Sequence, residues 1–402
     1  MKTDVEITRR ATLVEHIRVT ESMQFVTTVT TNETDVRMSR RALDLARLGV
    51  GLVSPNPLVG CVIVSSSGDI VGEGSYTYDQ IKHAEIVALE RAGEAARGGT
   101  AYVSLEPHNH RNRTPPCTDA LINAGIQRVV APIDDPNPLV SGLGFKRLRE
   151  AGIEVTAGIL AGEASRLNEK FICWHKNRRP FVHLKLAMSL DGRISLHNSV
   201  STALSSEAAR RRVQEFRHEH DAILVGGNTA FVDNPALTDR SGRSRRRQLV
   251  RVVLDNRLRL PLDSNLVATA GEFPTIVFSN TNDDDRVQNL TEHGVDVVRK
   301  DAQDLPAVLE CLRRRQLQSV LVEGGAEVAG AFCDARLVDK ITLIAAPLII
   351  GGGEAPSAIG GKGANSLNEV LTLHDINVDR LGDDIEITGH PAYKMDQPSN
   401  VD

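Results

Sequence analysis

His83, Glu85, His108 and Cys117 are the residues of this 402-residue chain whose types and spacing could do chemistry together. His83-Ala84-Glu85 opens one expected helix, and Glu106-Pro107-His108 through Cys117 lies just past the strand that follows it. Two imidazoles and a thiolate can hold a zinc ion and leave a fourth position for water, whose pKa the metal lowers until hydroxide is available near neutrality. Glu85, beside the first histidine and off the metal, is placed to shuttle protons. Together these groups would attack an amidine-like ring carbon with hydroxide. The candidate zinc ligands are therefore His83, His108 and Cys117, and the candidate catalytic acid and base is Glu85.

In the general H-x-E…P-C-x-x-C pattern of zinc deaminases the ligands are one histidine and two cysteines. Here His108 stands where the first cysteine belongs. Histidine binds zinc, but an imidazole reaches farther from its Cα than a thiolate, so the exchange misplaces the metal unless the backbone adjusts. His110 is a second candidate ligand should the loop shift. The longer stretch Leu105-Glu106-Pro107-His108-Asn109-His110-Arg111-Asn112-Arg113-Thr114-Pro115-Pro116-Cys117, with its nine-residue step from His108 to Cys117, resembles the deaminase half of the bifunctional riboflavin-biosynthesis deaminase/reductase. Pro55-Asn56-Pro57-Leu58-Val59-Gly60-Cys61-Val62, Thr118-Asp119-Ala120-Leu121-Ile122 and Asp135-Pro136-Asn137-Pro138 extend the resemblance over a whole domain. Besides His108, Arg111-Asn112 replaces the usual histidine-glycine pair and Lys82 stands where a proline is common. The resemblance makes Asn56 and Thr114 substrate contacts.

The elements needed to position this set alternate along the chain. An amphipathic helix is expected from Ser39 to Arg47, a strand over 60–64, a helix from His83 to Arg97 and a strand over 100–105. A helix over 117–124, a strand over 128–132, a helix over 144–151 and a strand over 154–157 follow, then a helix from Glu163 to Asn177. Helices alternating with short apolar strands imply a three-layer α/β domain with a mostly parallel sheet. His83 and Cys117 both fall at helix starts, where backbone dipoles favour negative charge. Residues 1–36 lack sustained periodicity and read as a mobile extension. Pro180 breaks the last helix and Phe181 begins a new strand, which bounds the first domain as 37–178, the second as 179–392 and a tail as 393–402.

In the second half, strands are expected over 222–225, 251–254, 275–279, 295–298, 320–322 and 340–345. Three clusters resemble the reductase half of the same family, which has a dihydrofolate-reductase-like fold. They are Leu184-Lys185-Leu186-Ala187-Met188-Ser189-Leu190-Asp191-Gly192-Arg193; Ile223 to Thr229 with Asp233 to Arg240; and Val322-Glu323-Gly324-Gly325-Ala326 with the later Ala346 to Gly352. Glycines after an apolar strand and before a helix make an anion site, because a diphosphate can approach the backbone and the helix N-terminus supplies donors. The motif is not G-x-G-x-x-G, so it gives no ground for a dinucleotide-binding Rossmann domain. What the resemblance implies is hydride transfer from NADPH to the ribose C1′ of a phosphoribosylamino-pyrimidine. Ala187, Thr229, Asp233, Gly325, Ala326, Glu327, Val328, Ala329, Gly330 and Ala331 would lie on the cofactor side. Ser201, Arg217, Leu237, Arg240 and Glu323 would lie on the substrate side, the two arginines suited to a ribose phosphate. Ala203 replaces an aromatic residue common in the family. Ser241 to Arg247, with four arginines, reads as a solvated loop or as a contact to a cofactor or substrate phosphate.

Composition narrows the function classes. A net charge of −5 and low aromatic content argue against a nucleic-acid base deaminase with a binding channel. Five cysteines without close pairing argue against a disulfide framework and for a reducing cytoplasm. No apolar run is long enough for a signal peptide or a membrane span. The expectation is thus an α/β chain with a cytidine-deaminase-like three-layer domain followed by a dihydrofolate-reductase-like domain. It would use zinc and NADPH on small pyrimidine ribotides, with no nucleic-acid or membrane partner, and would admit a homo-oligomer through the reductase domain. The second reading is a reductase alone, riding on a metal-free scaffold.

Overall fold

The computed structural model describes residues 32–80, 82–110, 115–197 and 202–393. Its N-terminal half comprises α1 (Glu33–Arg47), β1 (Gly60–Val64), β2 (Ile70–Ser75), α2 (Ala84–Ala92), β3 (Thr100–Val103), α3 (Cys117–Asn123), β4 (Arg128–Ala131), α4 (Leu143–Glu150), β5 (Glu154–Ala157), α5 (Ala161–Leu167) and α6 (Glu169–Lys176). The five strands form one sheet in the order β2-β1-β3-β4-β5. β1 pairs antiparallel with β2 and β3, and the pairs β3–β4 and β4–β5 are parallel. The sheet is therefore mixed, where the alternation of elements implied a mostly parallel one; β2, unmarked by strong apolar alternation, was not expected as a strand.

Side-chain alternation on β1 builds the three layers. Val62 and Val64 face Met38 and Ala42 of α1, whereas Cys61 and Ile63 face Ala84 and Ala88 of α2 and Leu121 of α3. Glycines set the spacing of these layers. A Cβ on Gly60 would lie 2.1 Å from the Ala42 carbonyl oxygen, and one on Gly74 would lie 2.1 Å from that of Ala84. The first turn of α2 can thus rest directly on β2, and that contact fixes the height of His83 and Glu85 above the sheet.

Two helices differ from expectation for identifiable reasons. α1 begins at Glu33, six residues before Ser39, because Asn32 caps it and the buried Asp35 is held by Arg128 at 2.8 and 2.9 Å and by the Tyr102 hydroxyl at 2.8 Å. Residues 33–36 of the expected extension are thus helical, and 1–31 lie outside the described residues. The expected helix from Glu163 to Asn177 is two helices that meet at Asn168. This buried amide accepts from the Leu58 N–H at 2.8 Å and donates to the Leu58 carbonyl at 3.0 Å, so the break clamps the Pro55-to-Gly60 segment. The expected helix from His83 to Arg97 ends as α-helix at Ala92 and closes with a short turn of 3-10 helix over 93–96.

The C-terminal half comprises β6 (Phe181–Ser189), α7 (Glu207–Glu219), β7 (Ala222–Gly226), α8 (Gly227–Asp233), β8 (Val250–Leu254), α9 (Asn265–Ala268), β9 (Thr275–Ser279), α10 (Asp284–Glu292), β10 (Asp296–Arg299), α11 (Leu305–Arg314), β11 (Ser319–Val322), α12 (Ala326–Asp334), β12 (Lys340–Ala346), β13 (Thr372–Leu381) and β14 (Asp384–Ala392). Its sheet runs β10-β9-β8-β7-β11-β6-β12-β14-β13, parallel through β12 and antiparallel at β14 and β13. The terminal hairpin β13–β14 mixes charged residues such as Asp375, Asp379, Asp384 and Glu386 among its apolar ones and was not foreseen. Ala222 and Leu224 of β7 face α11 and α12, while Ile223 and Val225 face Ala230 of α8 and Leu266 of α9. Strand order reverses at the centre: the chain moves outward from β7 to β10, then returns to insert β11 between β7 and β6. Such a reversal opens a crevice at the carboxyl ends of the central strands.

The arginine patch is only partly the solvated loop that was one of its two expected readings. Arg243 stays exposed, but Arg245, Arg246 and Arg247 turn inward. Arg245 binds Asp239 at 2.7 Å and the carbonyls of Arg217 at 2.8 Å and His220 at 2.7 Å. Carbonyls left bare by the end of α7 thus draw the guanidinium in.

Candidate active sites

The first site is assembled from three chain segments. His83 is the N-cap residue of α2 and Glu85 lies in that helix's first turn. His108 sits on the loop after β3, and Cys117 is the first residue of α3, behind Pro115-Pro116. The loop carrying His108 is held by its neighbour Glu106, whose buried carboxylate accepts from the backbone N–H groups of Asp135 and Gly142 at 2.9 Å each, Gly144 at 2.8 Å and Phe145 at 3.1 Å. The Thr118 N–H reaches back to the His108 carbonyl at 3.3 Å. His108 therefore has little freedom to move.

His83, His108 and Cys117 converge: one ligand atom from each lies within 4.8 Å of the others, and among the described residues this is the group of metal-competent side chains that meets. Cys117 Sγ is 3.4 Å from His83 Nδ1, and the His83 and His108 rings are 4.4 Å apart. Ligands at about 2.0 and 2.3 Å in a tetrahedral shell lie about 3.5 Å from each other. The Cys117–His83 separation matches such a shell, and His108, the substituted position, lies within 4.8 Å of both. Two buried atoms lack partners here, His108 Nδ1 and Glu85 Oε2. Burial, then the neighbouring His83 and His110, lowers the His108 pKa to about 3, so its imidazole is neutral and offers a lone pair. Burial, and next Glu85, raises the Cys117 thiol well above its usual range. A cation must displace that proton to gain the thiolate. Two imidazoles and a thiol, closely set, with one imidazole nitrogen left unpartnered among the described residues, are a donor set that fits zinc. His110 lies 5.2 Å ring to ring from His108, outside the trio.

Of the two expected substrate contacts here, Thr114 lies outside the described residues. Asn56 Nδ2 donates to the Tyr76 hydroxyl at 2.7 Å, and the Tyr76 ring stands edge-on to His83 at 5.5 Å. Asn56 is therefore one side chain removed from the ligand trio.

The second site lies at the carboxyl ends of β6, β7 and β11. Ala187 is half-buried on β6; Thr229 and the exposed Asp233 lie on α8; Gly325 caps α12. A Cβ on Gly325 would lie 3.5 Å from Thr229 Oγ1, so these two residues face each other across the mouth of the crevice. A Cβ on Gly324 would collide with Val328 at 2.6 Å, which explains the first glycine of the pair. Within the run assigned to the cofactor, Gly325, Ala326, Glu327 and Val328 line the first turn and Ala331 is exposed. Ala329 is packed in the core, and Gly330 abuts the Gly360 and Gly361 backbone. Those two pack within the structure and support the helix.

On the substrate side, Arg217 and Glu323 bind each other instead of standing free. Nε and Nη2 of Arg217 donate to the two Glu323 carboxylate oxygens at 2.9 and 3.0 Å, and Nη1 donates to the Thr238 carbonyl at 3.1 Å. Arg240 is exposed, and among the described residues its guanidinium makes no hydrogen bond or ion pair. Leu237 places its side chain in the apolar cluster with Ile223 and Val225, so its backbone, at φ 49°, is what can face a ligand. Ser201 lies outside the described residues, and Ala203 is exposed.

Two residues of this site escaped the sequence reading. Lys185 of β6 lies beside the Arg217–Glu323 pair: burial lowers its pKa, Glu323 pulls it up and Arg217 pushes it down. A lysine within an otherwise apolar strand was the signal. Asp191 accepts from Ser189 Oγ at 2.6 Å and from the backbone N–H groups of Ile350 at 3.0 Å and Gly351 at 2.7 Å. It thereby ties the turn after β6 to the glycine-rich turn after β12.

Comparison with known proteins agrees with this geometry. The RibD C-terminal domain matches residues 180–387, and the zinc-binding region of cytidine and deoxycytidylate deaminases matches residues 32–132. Riboflavin biosynthesis protein RibD of Bacillus amyloliquefaciens is 42% identical over 358 residues, covering 88% of this chain and 96% of that protein. The protein of the same name from Actinobacillus pleuropneumoniae is 40% identical over 356 residues, 88% of this chain and 94% of its own. Among solved structures, Acinetobacter baumannii RibD superimposes with a TM-score of 0.80 at 35% identity, over 89% of this chain and 99% of that one. A diaminohydroxyphosphoribosylaminopyrimidine deaminase/5-amino-6-(5-phosphoribosylamino)uracil reductase from Thermotoga maritima gives 0.79 at 35% identity, with the same coverage.

Proposed function

This chain belongs to the RibD family of bifunctional riboflavin-biosynthesis enzymes, a deaminase and a reductase in one polypeptide, and from that premise we propose how its residues divide the work. Residues 37–178, together with the first turn of α1 from Glu33, form the deaminase and 179–392 the reductase. His83, His108 and Cys117 hold zinc, which when bound acidifies a water for attack on the ring carbon that bears the amino group. Glu85 moves the protons: its buried, unpartnered Oε2 takes one from the attacking water and returns one to the departing ammonia. Asn56 orients the pyrimidine ribotide beside Tyr76.

In the reductase half, NADPH supplies the hydride that converts the ribosyl chain to ribityl. Gly325 and the first turn of α12 would hold the cofactor's phosphates through backbone donors, and Thr229, Asp233 and Ala187 would complete the cofactor side of the crevice. Arg240 takes the substrate's ribose phosphate. Glu323 fixes Arg217 and Lys185 at the floor of the site, so that alignment of the two reactants is set before the hydride moves.

The chain works in the cytoplasm on free ribotides, a reading supported by five unpaired cysteines and a net charge of −5. Among the described residues, no helix is long and apolar enough to cross a membrane. Two copies pair through the β13 edge of the nine-stranded sheet, where Ile376 and Val378 are 58% and 60% exposed.

The observation that carries the deaminase assignment is the convergence of His83, His108 and Cys117 beside the buried Glu85 carboxylate. Metal analysis by mass spectrometry, paired with ammonia release from the diaminopyrimidine ribotide without NADPH, tests it. Near-stoichiometric zinc and ammonia release that vanishes in Glu85→Gln are expected. A chain without zinc or ammonia release that still consumes NADPH on the deaminated substrate would be a reductase on an inactive scaffold.

A further inference from the structure

Arg246 belongs to the reductase half by position, in the segment between α8 and β8, yet its contacts cross to the deaminase half. Its backbone N–H donates to the Gly51 carbonyl at 2.9 Å, and its Nη1 donates to the Ser54 carbonyl. Its guanidinium carbon lies 3.2 Å from the centroid of the Tyr78 ring. One side chain thus joins two segments that are separated in sequence, 51–54 and the short turn at Tyr78.

Both segments lead to the metal trio. The first continues to Asn56, which donates to Tyr76, and Tyr76 stands edge-on to His83. The second runs from Tyr76 through Tyr78 toward His83, the N-cap of α2. Neighbouring residues of the reductase half reinforce the grip. Gln318 Nε2 donates to the Pro55 carbonyl at 2.8 Å, and Asp221 accepts from Ser54 Oγ at 2.7 Å. Arg245, anchored on Asp239 and on the carbonyls that end α7, keeps the arginine segment from swinging away.

We infer that Arg246 is a positioning residue for deamination: it holds Asn56 and Tyr76 in register with the zinc ligands, so the deaminase site is complete only with the reductase half docked against it. The inference rests on the deaminase reading above and adds to it a dependence of one activity on the other half's surface. Planarity matters, because the guanidinium must stack on Tyr78 while it donates to Ser54, and an ammonium cannot do both with the same geometry.

The test uses the full chain and the variants Arg246→Ala, Arg246→Lys and Tyr78→Leu. KM and kcat for ammonia release, NADPH oxidation on the deaminated substrate, and hydrogen exchange by mass spectrometry are measured for each. Arg246→Ala is expected to raise the deamination KM by about five- to tenfold, with a smaller change in Arg246→Lys and no change in reduction. Exchange should rise in 50–58 and 76–80 and nowhere in the reductase sheet. Tyr78→Leu, which removes the stacking from the opposite side, should reproduce both effects, and it decides the matter if Arg246→Ala does not fold. Unchanged exchange in both segments, or raised exchange with an unchanged deamination KM, overturns the inference. Absence of ammonia release by the unaltered chain would sink the deaminase reading instead, and the exchange measurement would then decide alone whether Arg246 holds these segments.

Discussion

Arg217 and Glu323 meet in a two-pronged ion pair at the carboxyl end of β11, and each side chain is only 12% exposed. Burial raises the Glu323 carboxyl, but Arg217 and Lys185 outweigh it and hold the pKa below its ordinary value. Removing the acid leaves two buried cations facing each other. Glu323→Ala is therefore expected to cost about 3–5 kcal/mol of stability and to abolish reduction, measured by urea unfolding and NADPH oxidation. Glu323→Gln, which keeps one acceptor, should fall between. A Glu323→Ala protein as stable as the parent would mean that the pair contributes nothing.

Glu106 makes a parallel case in the deaminase half. One carboxylate accepts from four backbone N–H groups, those of Gly142 and of the buried residues Asp135, Gly144 and Phe145. Each stranded donor costs about 1–3 kcal/mol. Glu106→Ala should therefore lower stability by about 3 kcal/mol or more and release the loop that holds His108, so zinc content should fall with it. Thermal unfolding and metal analysis of the same preparation check the coupling. Zinc retained at full occupancy in a destabilised variant would show that the loop holds itself.

In the loop after β4, which Glu106 also holds, Asp135 gives a pH signature. Burial, and then the charges of Glu106 and Asp134, raise its pKa to about 6, against which its hydrogen bond to Asn137 works. A carboxyl raised on folding binds its proton more tightly in the folded state. Its contribution is fully present below the unfolded pKa near 4 and is lost as pH rises through about 6. Stability should thus decline over that window by at most about 3 kcal/mol from this group. Asp135→Asn keeps the oxygen that accepts from the Asn137 N–H at 2.8 Å and removes the titration, so its decline between pH 4 and 6 should be shallower. Urea unfolding at several pH values reads this directly, and parallel curves for the two proteins would assign the decline elsewhere.

What was legible in the sequence was what neighbours in the chain decide. His83 and Glu85 share one helical turn, Cys117 starts the next helix, and the strand-glycine-helix order around Gly325 is local, so spacing alone located them. What depended on distant partners was not legible. Asn168 breaks a helix because Leu58 needs its amide, and α1 starts early because Asp35 meets Arg128 across the sheet. The arginine run at 245–247 looked solvated because its acceptors, Gly51, Ser54 and Asp239 among them, belong to other segments. Arg217 and Glu323 were chosen separately as substrate contacts, 106 residues apart, and nothing in their spacing showed that they bind each other.

The last strands of the chain bear on assembly. β13 is the edge of the nine-stranded sheet, and strand alternation puts Ile376 and Val378 on one face. The register pairs Val378 with Ile387 and Arg380 with Ile385, so Ile385, 39% exposed, extends the same face onto β14. An apolar face at an open sheet edge invites association, and a second copy of the same edge satisfies both needs at once. A lysine placed in that face would meet its own symmetry mate, so the charge acts twice. Ile376→Lys combined with Val378→Lys should convert the proposed dimer to a monomer in light-scattering chromatography and leave ammonia release intact. Persistence of the dimer in this variant would place the subunit contact elsewhere, and a monomeric parent chain would remove the pairing altogether.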